Sequence, residues 1–581
     1  MSSPDFGWKT PGMQRMLAVA CLGISACGVG ERAQSPPVLE AGVSVDDIWL
    51  VADTDCPDPL VRYADADGDG EGDANVEIET CSEVPGFVES ANDCDDLRSD
   101  VLPGATETCE DGLDNDCLGG DAECVPPDLA TDALAYSREA TDDEFGFVVL
   151  GGVNHLGGAV LFGAPNGELI GGSDDQAGTI HQLSGFMDDA RGDRLSFSTR
   201  ETGKLTGVAG SRVGRGLALG HDPSRVFVGT AGPISTATGD FTGIVAWYDG
   251  GLPVDGSLLE DASGYIGCGR STGSSSYNGV DALAVGFWDD LSEEVLAMPL
   301  SLEGYMLVVS DPEGVSGDSG HSSGTVVNMP VGKSYGTALV WADIDGDGLD
   351  DLVITDPGRS DAASLGGGFD ILPGSELRAA EGLGAEVRTE DLGMGVVMEV
   401  ADQHVGTQVT TVDLDGDGVL EVAISNFNED TVQPAAVYLV EISDMDAFAG
   451  DRIEMSALPS STTYTRLVSE QQRDLFGLAM TSLGDGLAVG AAGWDPGDDI
   501  DKNDGAVYTF GPDPSWFAST EHTALSAAAA LIETDEGGEG FGTGLSDAGD
   551  LDGDGHSDLW VGSAGWDAAS ARAVLVFNTG L

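Results

Sequence analysis

Basic side chains are scarce: Lys and Arg total 23 in 581 residues, against 102 Asp and Glu, for a formal charge of −79. That balance excludes nucleic acid and anionic membrane surfaces as partners, since both require basic patches, and it favours bound cations. The 86 glycines follow no Gly-X-Y period, which excludes collagen and leaves them as turn residues between short strands. The seven histidines form no H-E-x-x-H and the nine cysteines no C-x₂-C pair, so the usual zinc signatures are missing. No segment is apolar over the length needed to span a bilayer. Disorder, the obvious reading of so acidic a chain, is opposed by a 41% hydrophobic content gathered in many short runs. The chain is too long for one ordinary core unless that core is built by repetition.

At the N-terminus, Lys9 and Arg15 precede the run "MLAVACLGISA", whose length suits a signal peptide. A short buried core helix is the competing reading. The run ends in "ISAC", Ile24 to Cys27, which resembles the lipobox of bacterial lipoproteins. The resemblance implies cleavage before Cys27 and a lipid on that cysteine, with Met13 and Met16 as alternative starts. Residues 28–52, polar and Pro-containing, read as a tether. The expectation is an exported protein of the bacterial cell envelope, at the outer membrane or cell surface, held to the membrane by lipid alone.

From residue 133 onward one order of signals recurs: an F-G-like start, a short strand, an optional acidic loop, a second strand ending in G-A-x, and a third strand. The starts are Phe145-Gly146, Val213-Gly214, a weak one near Asn278-Gly279, Tyr335-Gly336, Val405-Gly406, Phe476-Gly477 and Phe541-Gly542. Their spacing of roughly 65 residues leaves room for four strands and long loops. Second strands end "VLFGAPNG", "VFVGTAG", "LAVGAAG" and "LWVGSAG". These units resemble FG-GAP repeats, the blades of the integrin α-subunit β-propeller. The resemblance implies an all-β fold, a seven-bladed β-propeller over 133–581, in which each small sheet buries its faces on its neighbours. "ALAYSREATDDEFG", before the first unit, matches the outer-strand stretches that precede later units. Ala133 to Ser137 are therefore expected to supply the outer strand of the last blade and close the ring; a plain linker is the alternative.

Within the repeats, D-x-D-G-D-G-x-x-[DE] occurs three times. The copies are Asp343, Asp345, Asp347 and Asp351; Asp413, Asp415, Asp417 and Glu421; and Asp550, Asp552, Asp554 and Asp558. Calcium takes six to eight oxygens, which alternate carboxylates supply when the loop curls. Glycine at position 6 permits the turn, the carbonyl of position 7 (Leu349, Val419, His556) adds an oxygen, and the acid at position 9 closes the cage. An EF-hand would need Glu at position 12, where Ile354, Ile424 and Val561 stand inside strand-like runs. Magnesium suits an all-protein cage less well. The loops resemble the β-hairpin calcium loops of integrin blades.

A fourth copy, Asp65, Asp67, Asp69, the Glu71 carbonyl and Asp73, lies in a Cys-rich segment, 53–124, followed by a linker at 125–132. Its six cysteines, Cys56, Cys81, Cys94, Cys109, Cys117 and Cys124, read as three disulfides of open connectivity, while Cys268 stands alone. With "NDCDD" and "LPGATETCEDGLDNDC" the segment resembles the metal-binding motif of MopE-type secreted bacterial proteins. A small, disulfide-rich, loop-dominated metal-binding module is implied. That family's name is associated with copper, but copper prefers imidazole or sulfur ligands and this segment has no His or Met. Calcium is the expected ion.

An enzyme is harder to find. "SGDSGHSSG", Ser316 to Gly324, matches protease and hydrolase nucleophile motifs, but a nucleophile elbow needs a strand before it and a helix after it, and here a loop leads into strand. Arg191-Gly192-Asp193 is read as chance, and Trp494 and Trp566 as blade packing. The functional expectation is a monomeric, non-enzymatic, calcium-binding surface lipoprotein whose propeller recognises a protein or glycan in adhesion. The alternative is a secreted enzyme acting on polysaccharide or lipid at the propeller face.

Overall fold

The computed structural model describes residues 60–99 apart from 69 and 81–83, the single residues 101, 117 and 129, and most of 131–578. Stretches outside the description include 166–175, 269–279, 289–293, 315–323, 427–433, 443–450, 496–502, 535–539 and 565–569. The signal peptide, lipobox Cys27 and tether fall outside it, as do the Ser316–Ser323 stretch and Trp566. The chain divides into two compact units, 1–123 and 124–581.

The first unit has more strand than its loop-rich sequence suggests. Leu60–Ala64 pairs antiparallel with both Asp73–Thr80 and Phe87–Val88. The period-two alternation in "DANVEIET" accounts for the long strand. Of the expected disulfides, Cys94–Cys117 is formed, with the Cα atoms 5.7 Å apart. Cys56, Cys81, Cys109 and Cys124 lie outside the described residues.

In the second unit the described strands form seven four- or five-stranded sheets in chain order, each with four antiparallel strands at its core, and one two-stranded ribbon, Ile234–Ser235 with Asp240–Phe241. The first strand of each sheet packs on the first strand of the next, and Phe541–Gly549 of the seventh packs on Val148–Gly151 of the first. This is a β-propeller arrangement. Middle strands such as Asp351–Thr355 and Gly368–Leu372 are buried along their whole length. Hence they read as continuous apolar runs instead of alternating ones.

Two recurrent glycine signals are the halves of one contact. Among the described "F-G" starts the glycine sits at positive φ, for example Gly146 at 78° and Gly542 at 91°, a region only glycine enters cheaply. A Cβ built on Gly562, in the second strand of the seventh sheet, would lie 2.2 Å from the Gly146 carbonyl oxygen. The same holds for Gly490 against Gly542, at 2.1 Å, and Gly163 against Gly214, at 2.0 Å. Neighbouring sheets therefore approach backbone to backbone, and the preceding Phe145, Phe476 and Phe541 are fully buried.

Ala133–Glu139 pairs antiparallel with Ser570–Val576 in register Ala133↔Val576 to Glu139↔Ser570, so N-terminal residues complete the last sheet. An aromatic cluster seals this junction. Phe162 meets Trp560 edge-on at 5.7 Å, Phe186 meets Trp560 at 4.9 Å, and Phe145 meets Phe197 at 5.0 Å.

A further device was not foreseen. A two- or three-residue strand between the third and fourth strands of one sheet pairs in parallel with the fourth strand of the preceding sheet. Arg194–Ser196 does so on Ala133–Glu139, Glu386–Arg388 on Thr325–Asn328, and Arg452–Glu454 on Met394–Val397. Gly256–Ser257 and His522–Thr523 repeat it. These latches cover edges that would otherwise be open.

Candidate metal centres

Each of the three propeller loops joins the first and second strands of its sheet. The ninth residue is the first residue of the second strand: Ala342 pairs with Asp351, Val412 with Glu421 and Gly549 with Asp558. Glycines at positions 4 and 6 both take the left-handed region, Gly346 and Gly348 at 74° and 87°, Gly416 and Gly418 at 75° and 87°, Gly553 and Gly555 at 83° and 96°. The fold thus needs two glycines per loop, where the sequence reasoning justified one.

The first aspartate organises the turn. Asp413 accepts from Gly416 N at 2.9 Å and from Gly418 N at 2.9 Å. Asp550 does the same with Gly553 N at 2.6 Å and Gly555 N at 3.1 Å, and Asp343 accepts from Gly348 N at 3.0 Å. The result gathers acids of like charge. In the loop from Asp413, ligand oxygens of Asp413, Asp415, Asp417 and Glu421 all lie within 4.8 Å of one another. The other two groups are Asp343, Asp345 and Asp347, and Asp550, Asp552 and Asp554, each without its ninth acid.

The ninth acid explains the difference. Asp351 accepts from Ile344 N at 3.0 Å with one oxygen and from Gly374 N at 2.9 Å with the other. Asp558 is tied likewise to Leu551 N at 2.9 Å and Asn578 N at 3.0 Å. Glu421 accepts from Leu414 N at 2.7 Å through Oε2, but its fully buried Oε1 has no hydrogen-bond partner. Asp343 Oδ1 is also buried without one. An unsatisfied buried carboxylate oxygen is costly in a chain of this charge, and a cation against it removes the penalty. Burial first, with Asp415, Asp413 and Glu441 adding, pushes Glu421 up to about 8. Burial also raises Asp351 to about 7 and Asp558 to about 6.

The carbonyls of Leu349, Val419 and His556 follow the second glycine of each loop, and the N–H of each residue donates to the position-5 aspartate at 2.8, 2.8 and 3.0 Å. In the third loop Arg191 pairs with Asp552 and stacks over Phe577 at 4.2 Å. The Arg191-Gly192-Asp193 tripeptide is therefore part of a turn, with Gly192 N donating to Ala133 O at 2.8 Å. Trp494 is buried, as packing requires.

In the first unit the compact group is Asp65, Asp67 and Asp96. Gly68 N donates to Asp65 at 2.7 Å, as in the propeller loops. The N–H of position 2, Ala66, donates to Asp96 at 2.7 Å, the bond that the ninth acid accepts elsewhere. Asp96 is buried, and burial first, then Asp93, Asp67 and Asp73, raises it to about 6. Asp73 instead pairs with Ala64 at a bulge, Glu71 bonds Ser90, and Asp69 lies outside the described residues. The signal for Asp96 was the acid cluster "NDCDD", set beside the loop by chain folding that spacing alone does not encode. In all four groups the donors are carboxylates, a set suited to a hard cation.

Residues 93–123 match the Cu-binding MopE family, described as "Putative metal-binding motif", and Asp96 lies inside the match. No curated protein matches the chain. Among solved structures, the WD40 domain of Toxoplasma gondii coronin is similar with a TM-score of 0.41 and 10% identity, over 79% of this chain and 90% of that one. The Dos1 propeller is similar with a TM-score of 0.37 and 12% identity, over 76% and 95%.

Proposed function

We propose that the chain is a calcium-binding recognition protein: a seven-bladed, integrin α-like propeller that binds a protein or glycan, carried on a lipid-anchored, exported, non-enzymatic polypeptide with a calcium-binding N-terminal module. The observation that carries the metal reading is Glu421, whose buried Oε1 has no partner beside three clustered aspartates. Oxygens within 4.8 Å of one another meet the condition for sharing one ion, since two ligands at calcium's bond length of about 2.4 Å lie at most about 4.8 Å apart. Asp413, Asp415, Asp417 and Glu421 would hold one ion, Asp343, Asp345 and Asp347 a second, and Asp550, Asp552 and Asp554 a third. Asp65, Asp67 and Asp96 would hold a fourth, and their all-carboxylate chemistry favours calcium over copper there.

Bound calcium supplies charge and coordination that set the hairpin loops; the chain's own carboxylates do the gathering. With a dissociation constant of about 10⁻⁴–10⁻³ M, as in extracellular modules, calcium near 1 mM contributes roughly 0.4–1.4 kcal/mol per site. Titration calorimetry and thermal melting of the full chain, in calcium and in EDTA, test the reading. Calcium should bind with measurable heat and raise the melting temperature above the EDTA value, with copper giving no such gain. Unchanged melting in EDTA together with a silent titration would sink it. Recognition is tested by screening glycan and protein arrays with calcium and with chelator; turnover of a defined polymer, lost on removing one carboxylate pair, would replace it with an enzyme.

A further inference from the structure

In the propeller loops the ninth acid belongs to the same hairpin as its aspartates, but Asp96 is brought to Asp65 and Asp67 from a separate segment. What holds that segment therefore sets the site. Asp93 N donates to Gly72 O at 3.3 Å, beside the Asp73–Asp93 bridge, and Ala66 N donates to Asp96 at 2.7 Å. Within the segment, Asp95 N donates to Asp93 Oδ1 at 2.8 Å and Arg98 N to Asp95 O at 2.9 Å. Cys94 lies inside this turn, two residues before Asp96, and is bonded to Cys117. Its own N–H donates to the Cys117 sulfur at 3.3 Å.

Apolar support for the turn is thin. Among the described residues of the first unit, Val101 is the one buried apolar side chain, whereas Asp93 and Asp96 are buried acids. A small unit with so acidic an interior relies on cross-links or metal for its order, and crowded carboxylates repel until a cation joins them. The Cys94–Cys117 bond spans a separation of 23 residues and removes freedom that the turn would otherwise regain. Cys94 is exposed, within reach of an external thiol.

We infer that Cys94–Cys117 is a redox-sensitive positioning element of the module's metal site: oxidised, it presents Asp96 to an ion at Asp65 and Asp67, and reduced, it lets Asp96 leave. Reduction is exchange with a thiol such as glutathione. One thiolate opens the sulfur–sulfur bond to a mixed disulfide and a second displaces it, so two electrons and two protons pass to the chain, leaving two cysteine thiols and one glutathione disulfide. Such coupling is reciprocal. If reduction weakens binding of the ion, the bound ion makes the disulfide harder to reduce by the same factor. The inference rests on the metal reading of this module, and Cys94, Asp96 and Cys117 all fall inside the matched motif, 93–123.

Redox titration of the full chain in glutathione buffers, with Cys94 and Cys117 followed by alkylation and mass spectrometry, tests it without any substitution. Saturating calcium should move the Cys94–Cys117 potential about 30 mV more negative, the two-electron equivalent of a tenfold change in affinity. Asp96→Ala should abolish the shift, and Glu421→Gln, in the propeller, should leave it intact. Conversely, a chain carrying both Cys94→Ser and Cys117→Ser should bind calcium at this site about tenfold more weakly although Asp96 is present. A potential unmoved by calcium, or moved equally in Asp96→Ala, overturns the inference. Calcium titration of the oxidised wild type and of Asp96→Ala keeps the two readings apart. Identical isotherms overturn the metal site and the redox link with it, whereas a difference alongside an unmoved potential overturns the redox link alone.

Discussion

The loops 413–421 and 550–558 share a spacing, a strand register and a pair of left-handed glycines, but they use their ninth residue differently. Asp558 has both oxygens fastened to backbone N–H groups, at 2.9 and 3.0 Å. Glu421 is one methylene longer, fastens one oxygen at 2.7 Å, and keeps the other buried and unpartnered. The loop 343–351 sides with Asp558. One motif therefore contains two separable tasks: tying the hairpin shut and holding charge for an ion. The short acid does the first, and the long acid does part of both.

Glu421→Gln and Asp351→Asn should pull these tasks apart. Glu421→Gln removes a buried charge facing an ion, so calcium affinity at that loop should fall at least tenfold, about 1.4 kcal/mol. In EDTA above about pH 8 the same change should raise the melting temperature, because the folded metal-free chain there carries an uncompensated buried carboxylate that Gln lacks. Asp351→Asn turns an NH₂ toward a backbone N–H that now meets an oxygen, losing about 1–3 kcal/mol. It should lower melting in EDTA and leave calcium affinity closer to the wild-type value. Calorimetry and melting on both variants decide the matter, and effects of one sign in both would abolish the distinction.

Much of this was legible beforehand, and the parts that were not share a cause. The recurrence of F-G and G-A-x is visible because a backbone-to-backbone contact tolerates only glycine on each side. The closing strand was visible because "ALAYSREATDDEFG" matches the outer-strand stretches that precede later F-G starts. The parallel latches were missed: "RLS", "EVR" and "RIE" are three-residue strands, too short to show a period and held by tertiary pairing alone. Asp96 was missed for a related reason. It lies 30 residues from Ala66, whose N–H it accepts, and a local spacing cannot choose between Asp73 and Asp96. The ninth-acid split was invisible because Gly374 and Asn578, which satisfy Asp351 and Asp558, come from other segments.

The N-terminal module extends the comparison, since there the tie comes from a distant residue. Asp96→Ala in the full chain should weaken metal binding at that site about tenfold, on the scale of losing a charged partner, whereas Asp73→Ala should change it little. Calcium titration followed by chelator competition checks this, and the opposite ranking would return the site to the contiguous loop 65–73. The propeller acids also make a pH test. Glu421, Asp351 and Asp558, at about 8, 7 and 6, hold protons in the folded chain at pH values where the unfolded chain has released them. Metal-free stability is therefore greatest below the ordinary carboxylate range and is lost as pH rises through about 6 to about 8. Saturating calcium requires deprotonated Glu421, the ninth acid grouped with its loop aspartates, and cancels that residue's share of the loss. Melting curves in EDTA and in calcium should converge at acid pH and separate toward pH 8; parallel curves would mean Glu421 is not at the ion.

The smallest effect concerns the third loop, where a guanidinium already stands against one acid. Arg191 pairs with Asp552 and stacks over Phe577 at 4.2 Å. A cation there competes with a bound ion for the same carboxylate, while the stack holds the arginine in place whether or not an ion is bound. Arg191→Ala should raise calcium affinity at this loop by about two- to threefold, because a partly exposed pair is worth only about 0.2–1 kcal/mol. It should also lower melting slightly, through the lost cation–π contact of about 0.5–1 kcal/mol. Arg191→Met, which keeps apolar cover on the ring without the charge, should give the affinity gain with less loss of melting. If neither variant binds calcium more tightly, Arg191 is a packing residue that happens to reach Asp552, and the third loop is no weaker than the first.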